Sequence, residues 1–367
     1  MSYKNIYILG VGGSGMSSIA KYLKQKGDNV IGYDQRKSYV TNLLNQDGIK
    51  VVHTLDEITY KPESLYIYSS AIPIESDRFE DFYDKENVLS RPEYLKNLSE
   101  NQKIIGITGT HGKTSTTALL SHIFHFNNVN VSYLYGGITT FNGIGGHYGD
   151  PDQPLILETD EAFNTFEKIK ISDLLVLNVD SDHLDYFKNL DNYKDAFYKV
   201  MKNVTDNLVI NNDDLNIKSM KELKNPVSYG KDIAADFKVQ SPGTFIYENN
   251  KYEIKSDIIG DHFKANMLGA IILALLNGIE IKDSLNAIES FAGVKRRIEL
   301  IGISKGVLIY DDYGHHPTEM EATITALKQQ TESKLYVVFQ PHRYTRTMEY
   351  FNSFKDSLKL ADFAIVT

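Results

Sequence analysis

The sequence of 367 residues contains no cysteine, no tryptophan and no apolar run long enough to span a membrane. The absence of cysteine excludes disulfides, thiolate metal sites and a cysteine nucleophile. The N-terminus leads directly into a predicted strand rather than into a signal peptide. The formal net charge of −9 argues against a general nucleic-acid binder. We therefore expect a cytoplasmic protein without nucleic-acid or membrane partners. Any anionic substrate is then held by local Lys or Arg, by backbone N–H groups or by Mg²⁺.

The chain alternates β-rich and helix-prone segments, which indicates an α/β fold with parallel sheets. Predicted strands cover residues 5–10, 29–34 and 64–70 in a first block, and 154–160, 174–180 and 207–211 in a second. Alternating polar and apolar residues over 236–256 predict a small antiparallel excursion. Boundaries near residues 101 and 297 divide the chain into domains 1–100, 101–297 and 298–367. A doubly wound domain usually needs on the order of 100 residues, so we expect the short third domain to be truncated.

The most informative segment is a glycine-rich turn between a predicted strand and a predicted helix. The run Ile-Ile-Gly-Ile-Thr at 104–108 leads into the turn, and helix-prone residues follow from Ser115. The turn and helix start comprise Gly109, Thr110, His111, Gly112, Lys113, Thr114 and Ser115. Converging N–H groups, a helix N-terminus and the Lys113 ammonium favour a nucleotide triphosphate, and the Thr114 hydroxyl suits Mg²⁺. The usual spacing asks for glycine where Ile107 stands; a surface turn is the alternative.

A second glycine cluster lies near the N-terminus, with an acidic residue at the end of the next strand. It comprises Gly10, Gly12, Gly13, Ser14 and Gly15, and the acidic residue is Asp34. This pattern matches the dinucleotide fingerprint, which reports a backbone that approaches a pyrophosphate closely. Both a nicotinamide cofactor and a nucleotide sugar contain a pyrophosphate. No hydride-transfer constellation accompanies the cluster, so a dehydrogenase is the less favoured interpretation.

Further polar residues follow predicted strands or domain junctions. Glu158 and His183 lie at strand ends that face the ligand crevice of an α/β sheet, where they suit Mg²⁺. A solvated acidic turn and a capping histidine are the alternatives. His342, Arg343 and Arg346 place cationic groups at one loop-to-helix start, which favours carboxylate or phosphate recognition. A basic helix end paired with surface acids is the alternative there.

With these motifs together, the chain resembles the Mur ligase family, the ATP-dependent amino-acid ligases of peptidoglycan assembly. Thr-Gly-Thr-His-Gly-Lys-Thr at 108–114 is typical of the family. Asp-Asp-Tyr-Gly-His-His-Pro-Thr-Glu at 311–319 and Gln-Pro-His-Arg-Tyr-Thr-Arg at 340–346 point to its alanine-adding branch. The resemblance implies three domains: a Rossmann-like first domain, a central P-loop ATPase-like domain and an incomplete Rossmann-like third domain.

The resemblance also implies roles for individual residues. The catalytic set is Lys113, Glu158, His183, Arg297, Asp312 and His315. ATP binding falls to residues 109–115 with Asn266 and Arg297, and metal binding to Thr114, Glu158 and His183. The uridine diphosphate group of UDP-N-acetylmuramate falls to Gly10, Gly12, Gly13, Ser14, Gly15, Met16, Ser17, Asp34, Ser69 and Ser70. The amino-acid and substrate-carboxylate side comprises Tyr313, His315, His342, Arg343 and Arg346.

The implied reaction consumes ATP with Mg²⁺ and joins L-alanine to the substrate carboxylate through an acyl phosphate. The chain departs from the family where Phe263 replaces one of two paired asparagines near Asn266. Two alternatives remain: a recycling ligase that adds a preformed peptide to the same sugar nucleotide, and an inactive nucleotide-sugar-binding protein. The sequence does not specify the oligomeric state.

Overall fold

The computed structural model describes residues 3–220 and 223–367, apart from the side chains of residues 163, 184 and 185. Its first unit is a five-stranded parallel sheet in the order β3-β2-β1-β4-β5. The elements are β1 (Asn5–Leu9), α1 (Ser14–Lys26), β2 (Val30–Tyr33), α2 (Tyr39–Gln46), β3 (Lys50–Val52), β4 (Ser64–Tyr68), β5 (Val88–Ser90) and α3 (Arg91–Asn101). The α/β fold predicted for this part of the chain is confirmed.

The second unit is a ten-stranded mixed sheet in the order β15-β14-β13-β12-β11-β10-β6-β9-β7-β8. Its first half contains β6 (Ile104–Thr108), α4 (Lys113–Phe126), β7 (Ser132–Thr139), β8 (Gly143–His147), β9 (Leu155–Glu158), β10 (Asp173–Val176), α5 (Leu184–Phe187) and α6 (Leu190–Lys202). Its second half contains β11 (Asn207–Asn211), α7 (Leu215–Lys218), β12 (Val227–Gly230), β13 (Phe237–Ser241), β14 (Thr244–Tyr247), β15 (Asn250–Glu253), α8 (Asp261–Leu276) and α9 (Ile281–Glu289). The antiparallel pairing of β13, β14 and β15 confirms the predicted excursion.

Five of the six predicted strands extend beyond the strands that form, and two of the differences lie at the site. The strand predicted to reach Asp160 ends at Glu158, and the strand predicted to reach Asp180 ends at Val176. The residues beyond each end turn away from the sheet to form the loops that carry the polar side chains. The helix after the glycine-rich turn begins earlier than predicted, at Lys113 rather than Ser115.

The third unit contains two small sheets and three helices. Its elements are β16 (Glu299–Ser304), β17 (Val307–Asp311), α10 (Pro317–Gln329), β18 (Tyr336–Phe339), α11 (Tyr344–Glu349), α12 (Phe351–Leu358) and β19 (Phe363–Val366). β16 and β17 form an antiparallel hairpin, whereas β18 and β19 pair in parallel. Met320, Phe339 and Phe354 form its small buried core.

The central sheet is stabilised by a helix that is buried on all sides. Eight consecutive residues of α8, from Met267 to Ala274, are buried because the helix packs between α4 and strands β10 and β11. Helix α1 of the first unit packs on β7 and β8, where the Lys21 ammonium donates to the backbone carbonyls of Asn142 and Ile144. Because of these contacts, the first and second units share a packed interface next to the glycine-rich turn.

Among the described residues, no helix is both long and apolar enough to cross a membrane.

Candidate functional site

The phosphate loop (residues 109–112) connects β6 to α4 at the carboxyl end of the central sheet. Gly112 has φ +85°, and a Cβ there would lie 2.4 Å from Nδ2 of Asn266. The Asn178 side chain stabilises the loop through two hydrogen bonds to the His111 backbone. Its Oδ1 accepts from the His111 N–H at 2.8 Å, and its Nδ2 donates to the His111 carbonyl at 3.0 Å. The loop thus has the glycine-dependent shape that an oxyanion ligand requires.

Lys113 lies beside buried carboxylate and carbonyl oxygens, with 13% of its side chain exposed. Its ammonium donates to the carbonyl oxygens of Gly109 at 2.6 Å and Thr110 at 3.1 Å, and lies 2.9 Å from Oε2 of Glu161. Burial alone would lower the pKa of Lys113, but Glu161 and Asp160 raise it above its ordinary value, so the amine stays charged. Glu161 was missed by the sequence prediction, because nothing local marks a residue past the end of β9 as a partner of the loop.

The three predicted metal ligands line one cavity of about 500 Å³ together with Lys113. The Thr114 hydroxyl donates to Oε1 of Glu158 at 2.7 Å, and Oε2 of the same carboxylate accepts from the Gly136 N–H at 2.6 Å. His183 lies farther along the wall, with Nε2 3.9 Å from Glu161 and 3.8 Å from Asp182. A hydroxyl, carboxylates and an imidazole form a donor set that fits a hard divalent cation with some water ligands.

The glycine cluster of the first unit faces the same cavity through Gly12, Ser14 and Ser17. The Gly12 N–H donates to Oδ2 of Asp34 at 2.9 Å, and a Cβ on Gly12 would lie 2.7 Å from that oxygen. The Met16 side chain is buried in the core, which leaves only its backbone for a ligand.

Other predicted UDP-sugar residues lie around this cluster. Gly10 and Ser69 are in contact, since a Cβ on Gly10 would lie 3.0 Å from Cβ of Ser69. A Cβ on Gly15 would lie 2.9 Å from Nε of Arg91, and one on Gly13 would lie 3.3 Å from the Gly10 carbonyl oxygen. Ser70 is exposed just beyond β4. These close approaches form a tightly packed backbone edge, and its predicted contact with a pyrophosphate group stays a prediction.

A second cavity, of about 420 Å³, lies on the other side of the phosphate loop. Ser115, Asn266, Arg297 and Asp312 line it, and Phe263 supplies an aromatic wall beside Asn266. The Asp312 carboxylate accepts from the N–H groups of Ile298 and Gly314 at 2.8 and 2.7 Å. Asn266 lines this cavity beside an aromatic face in place of a second amide, and its predicted contact with adenine stays a prediction.

The third unit contributes Tyr313 and His315 to the 500 Å³ cavity, and Arg297 lies at the junction just before it. The Arg297 guanidinium lies 5.3 Å from the centre of the Tyr313 ring. Nδ1 of His315 lies 3.0 Å from the Tyr313 carbonyl oxygen, so the neutral ring donates there and keeps the Nε2 lone pair free. Burial lowers the pKa of His315, which favours this neutral form.

The three cationic residues predicted at one helix start do not lie together. His342 and Arg343 are exposed, and the His342 ring centre is 6.3 Å from that of His315. Arg346 is only 6% exposed, and its guanidinium lies 3.1 Å from both carboxylate oxygens of Asp182. Its predicted contact with the substrate carboxylate stays a prediction, while the structure places it in a buried ion pair.

His111 bridges the second and third units. Its Nε2 lies 3.2 Å from Asp180, and its Nδ1 lies 3.3 Å from Glu319. Glu319 lies in the first turn of α10 and takes part in the capping box of that helix. Burial alone would lower the pKa of His111, but hydrogen bonds to the two carboxylates raise it to about 9. Asp180 and Glu319 were not predicted as site residues, because they approach His111 only through the tertiary fold.

The fold and this site define a multidomain α/β protein built around a strand, a phosphate-binding loop and a helix. Three family models cover most of the chain. The Mur ligase family catalytic domain matches residues 5–103, the Mur ligase middle domain 107–274, and the Mur ligase glutamate ligase domain 296–367. The chain belongs to the Mur ligase family.

Relatives and solved structures agree with this assignment. The chain is 36% identical to the UDP-N-acetylmuramate–L-alanine ligases of Clostridium botulinum (strain Langeland) and Caldicellulosiruptor bescii. The alignments cover 98% of this chain and 81% and 83% of those proteins. The crystal structure of UDP-N-acetylmuramate–alanine ligase MurC from Thermotoga maritima superposes with a TM-score of 0.82 at 26% identity, over 99% of this chain and 84% of that one. A murein peptide ligase from Psychrobacter arcticus shares the fold, with a TM-score of 0.76 at 23% identity, over 99% of this chain and 84% of that one.

Proposed function

We propose that this chain is an ATP-dependent ligase that joins L-alanine to the carboxylate of UDP-N-acetylmuramate, in the cytoplasmic synthesis of peptidoglycan precursors. The main support is that a single cavity is lined by Gly12 and Ser14, by Lys113, and by Tyr313 and His315. These residues belong to the three proposed domains, 1–100, 101–297 and 298–367. The reaction requires a sugar nucleotide, a phosphoryl donor and an amino acid to meet at one place. The names of the relatives at 36% identity support the same substrates.

Where ATP is proposed to bind, the chain positions the phosphates and supplies positive charge. ATP supplies the phosphoryl group that activates a carboxylate, and Mg²⁺ supplies positive charge at its phosphates. Thr114, Glu158 and His183 would hold the metal ion, and the phosphate loop would present its N–H groups to the phosphates. The Lys113 ammonium, kept charged by Glu161, lies at the start of α4, where negative charge develops during transfer. Asn266 and Asp312 line the cavity proposed for adenine and ribose.

The attack by alanine needs a base close to its amino group and positive charge close to the substrate carboxylates. Alanine attacks an activated carbonyl as the neutral amine, so its ammonium must first lose a proton. His315 is held with Nδ1 towards the Tyr313 carbonyl, which leaves Nε2 to accept that proton. Arg297 and the exposed Arg343 supply positive charge for the carboxylate groups of both substrates, and the exposed His342 lies beside Arg343.

The test is phosphate release coupled to product formation, measured with ATP, Mg²⁺, UDP-N-acetylmuramate and L-alanine. We expect release to depend on both the sugar nucleotide and the amino acid, and to be slower with glycine or L-serine. Equal release without alanine would contradict the proposal. Greater turnover with the preformed tripeptide would favour a recycling ligase. Binding of UDP-N-acetylmuramate without turnover under any condition would favour an inactive binding protein.

A lysine variant ties the activity to the phosphate loop. Lys113→Met removes the ammonium from the cavity and should reduce turnover by at least about 10²-fold, since one electrostatic group is commonly worth that much. Lys282→Met is the matched control because Lys282 is exposed on α9, outside the cavities described above. Equal activity of the two variants would contradict the assignment of Lys113.

A further inference from the structure

The loop after β10 contacts the third unit through three consecutive residues. We call residues 180–183 the seam loop. Oδ2 of Asp180 accepts from the Thr318 hydroxyl at 2.7 Å, and the Asp182 carboxylate pairs with Arg346 at 3.1 Å. Between them, the Ser181 carbonyl accepts from the Tyr350 hydroxyl at 2.9 Å. Each of the first three residues of the seam loop therefore binds a different side chain of the third unit.

The same loop holds the phosphate site on its other side. The Asp180 N–H donates to the Thr110 hydroxyl at 2.8 Å, and the Asp180 carboxylate lies 3.2 Å from Nε2 of His111. The last residue of the seam loop is His183, a predicted metal ligand, whose N–H donates to Oδ1 of Asp182 at 2.8 Å. The carboxylate that orients the His183 backbone is thus the one that pairs with Arg346.

The backbone at His183 needs support from its surroundings. His183 has φ +54°, a left-handed conformation that non-glycine residues adopt at a cost. Asp182 and Arg346 are both buried, so separating them would leave an uncompensated charge on each side. The contacts across the seam are directional hydrogen bonds and ion pairs, which depend on the orientation of the two units far more than apolar packing does.

We propose that Asp180 and Asp182 are positioning residues, which fix His111 and His183 in the phosphate site when the third unit docks on the seam loop. Phosphoryl transfer would then be efficient only once the domain that carries Tyr313 and His315 is in place. The activated carboxylate would form where alanine can attack it rather than where water can reach it. This inference rests on the proposed function and adds the means by which the two halves of the reaction are coupled.

The test removes seam contacts from the third unit and leaves the phosphate loop and the lining of the 500 Å³ cavity unchanged. Thr318 also lines the 420 Å³ cavity, and an isosteric change keeps the shape of that wall. The double variant Thr318→Val/Tyr350→Phe deletes two hydroxyl groups and keeps the shapes of both side chains. The matched control is Thr325→Val/Tyr336→Phe, because both residues are exposed in the third unit, Thr325 on the same helix as Thr318 and Tyr336 on β18. Loss of one bond to a carboxylate and one to a carbonyl should lower the docking equilibrium constant on the order of 10- to 100-fold.

Docking can be measured without activity. The chain has no cysteine, so Lys202→Cys on α6 and Gln329→Cys on α10 provide two unique spin-label positions. Pulsed electron paramagnetic resonance with saturating ATP and Mg²⁺ should give a main short distance in the parent and in the control. The seam variant should shift population to longer distances. Identical distance distributions in all three proteins would overturn the proposal.

Steady-state kinetics supply the second readout. We expect the seam variant to lose at least tenfold in kcat while its KM for ATP changes less than threefold, because the nucleotide still binds the intact phosphate loop. An unchanged kcat would overturn the positioning role, and a loss in kcat matched by the control would do the same. If the parent shows no ligase turnover, the proposed function fails for this chain, and the distance measurement still decides whether the seam loop governs docking.

Discussion

Replacing Glu161 by glutamine should destabilise the central domain by about 3 kcal/mol. Glu161 is buried and the Lys113 side chain is 13% exposed, with the ammonium 2.9 and 3.0 Å from the two carboxylate oxygens. Removing one partner of a buried ion pair costs about 3–5 kcal/mol, since the other charge is left uncompensated. Two backbone carbonyls and the nearby Asp160 still face Lys113, and the glutamine oxygen can accept one hydrogen bond. The cost should therefore lie at the lower end of that range.

The assay uses the absence of tryptophan from the chain. Phe126→Trp at the exposed end of α4 would give a fluorescence signal specific to the central domain. For a domain of about 200 residues, each kcal/mol shifts Tm by about 2–4 °C, so Glu161→Gln in this background should lower Tm by about 6–12 °C. Glu289→Gln, at an exposed position on α9, is the matched control and should shift Tm by less than about 1 °C. A shift below about 2 °C for Glu161→Gln would refute the inference that this carboxylate holds the Lys113 charge in place.

Two further outcomes follow from the phosphate loop. The pKa of His111 in the folded protein, about 9, lies above its ordinary value of 6.5. The stability that protonated His111 adds to the folded protein is therefore complete below pH 6.5 and is lost as the pH rises through 9. Docking measured by the spin-label distances should weaken over that range, and His111→Asn should remove most of the change; an equally steep profile in the variant would contradict this role. Gly112→Ala should weaken ATP binding in calorimetry by at least tenfold, because its Cβ would meet Asn266 at 2.4 Å. Gly278→Ala, at φ +88° with nothing within 4 Å, controls for backbone strain alone, and an equal loss in both variants would contradict the steric argument.

The local parts of the site were predictable from the sequence because short-range chemistry determines them. An apolar strand, a glycine turn and Lys-Thr at a helix start are enough to place Lys113 and Thr114 directly after a phosphate loop. Glu158 was predictable for a similar reason, since the carboxyl ends of parallel strands share one edge of the sheet. The excursion at β13–β15 was visible in the alternation of its side chains.

The partners that arrive from distant parts of the chain were not predictable. Glu161 follows Glu158 closely in sequence, but only the path of the loop after β9 brings it to Lys113. Glu319 lies more than 200 positions from His111 in the chain, and its sequence context indicates only a helix cap. Arg346 looks like one of three clustered cations in sequence, whereas packing turns it towards Asp182 and leaves Arg343 exposed. The hairpin of β16 and β17 was also missed, because the third unit was expected to alternate strands and helices.

The central claim is that the carboxylate of UDP-N-acetylmuramate is activated by phosphoryl transfer in the cavity lined by Lys113, and is then attacked by alanine. The most direct measurement is isotope transfer from substrate labelled with ¹⁸O in that carboxylate, with mass spectrometry of the products. We expect one labelled oxygen to appear in the released inorganic phosphate for each alanine joined. Release of unlabelled phosphate, or label in AMP, would contradict it.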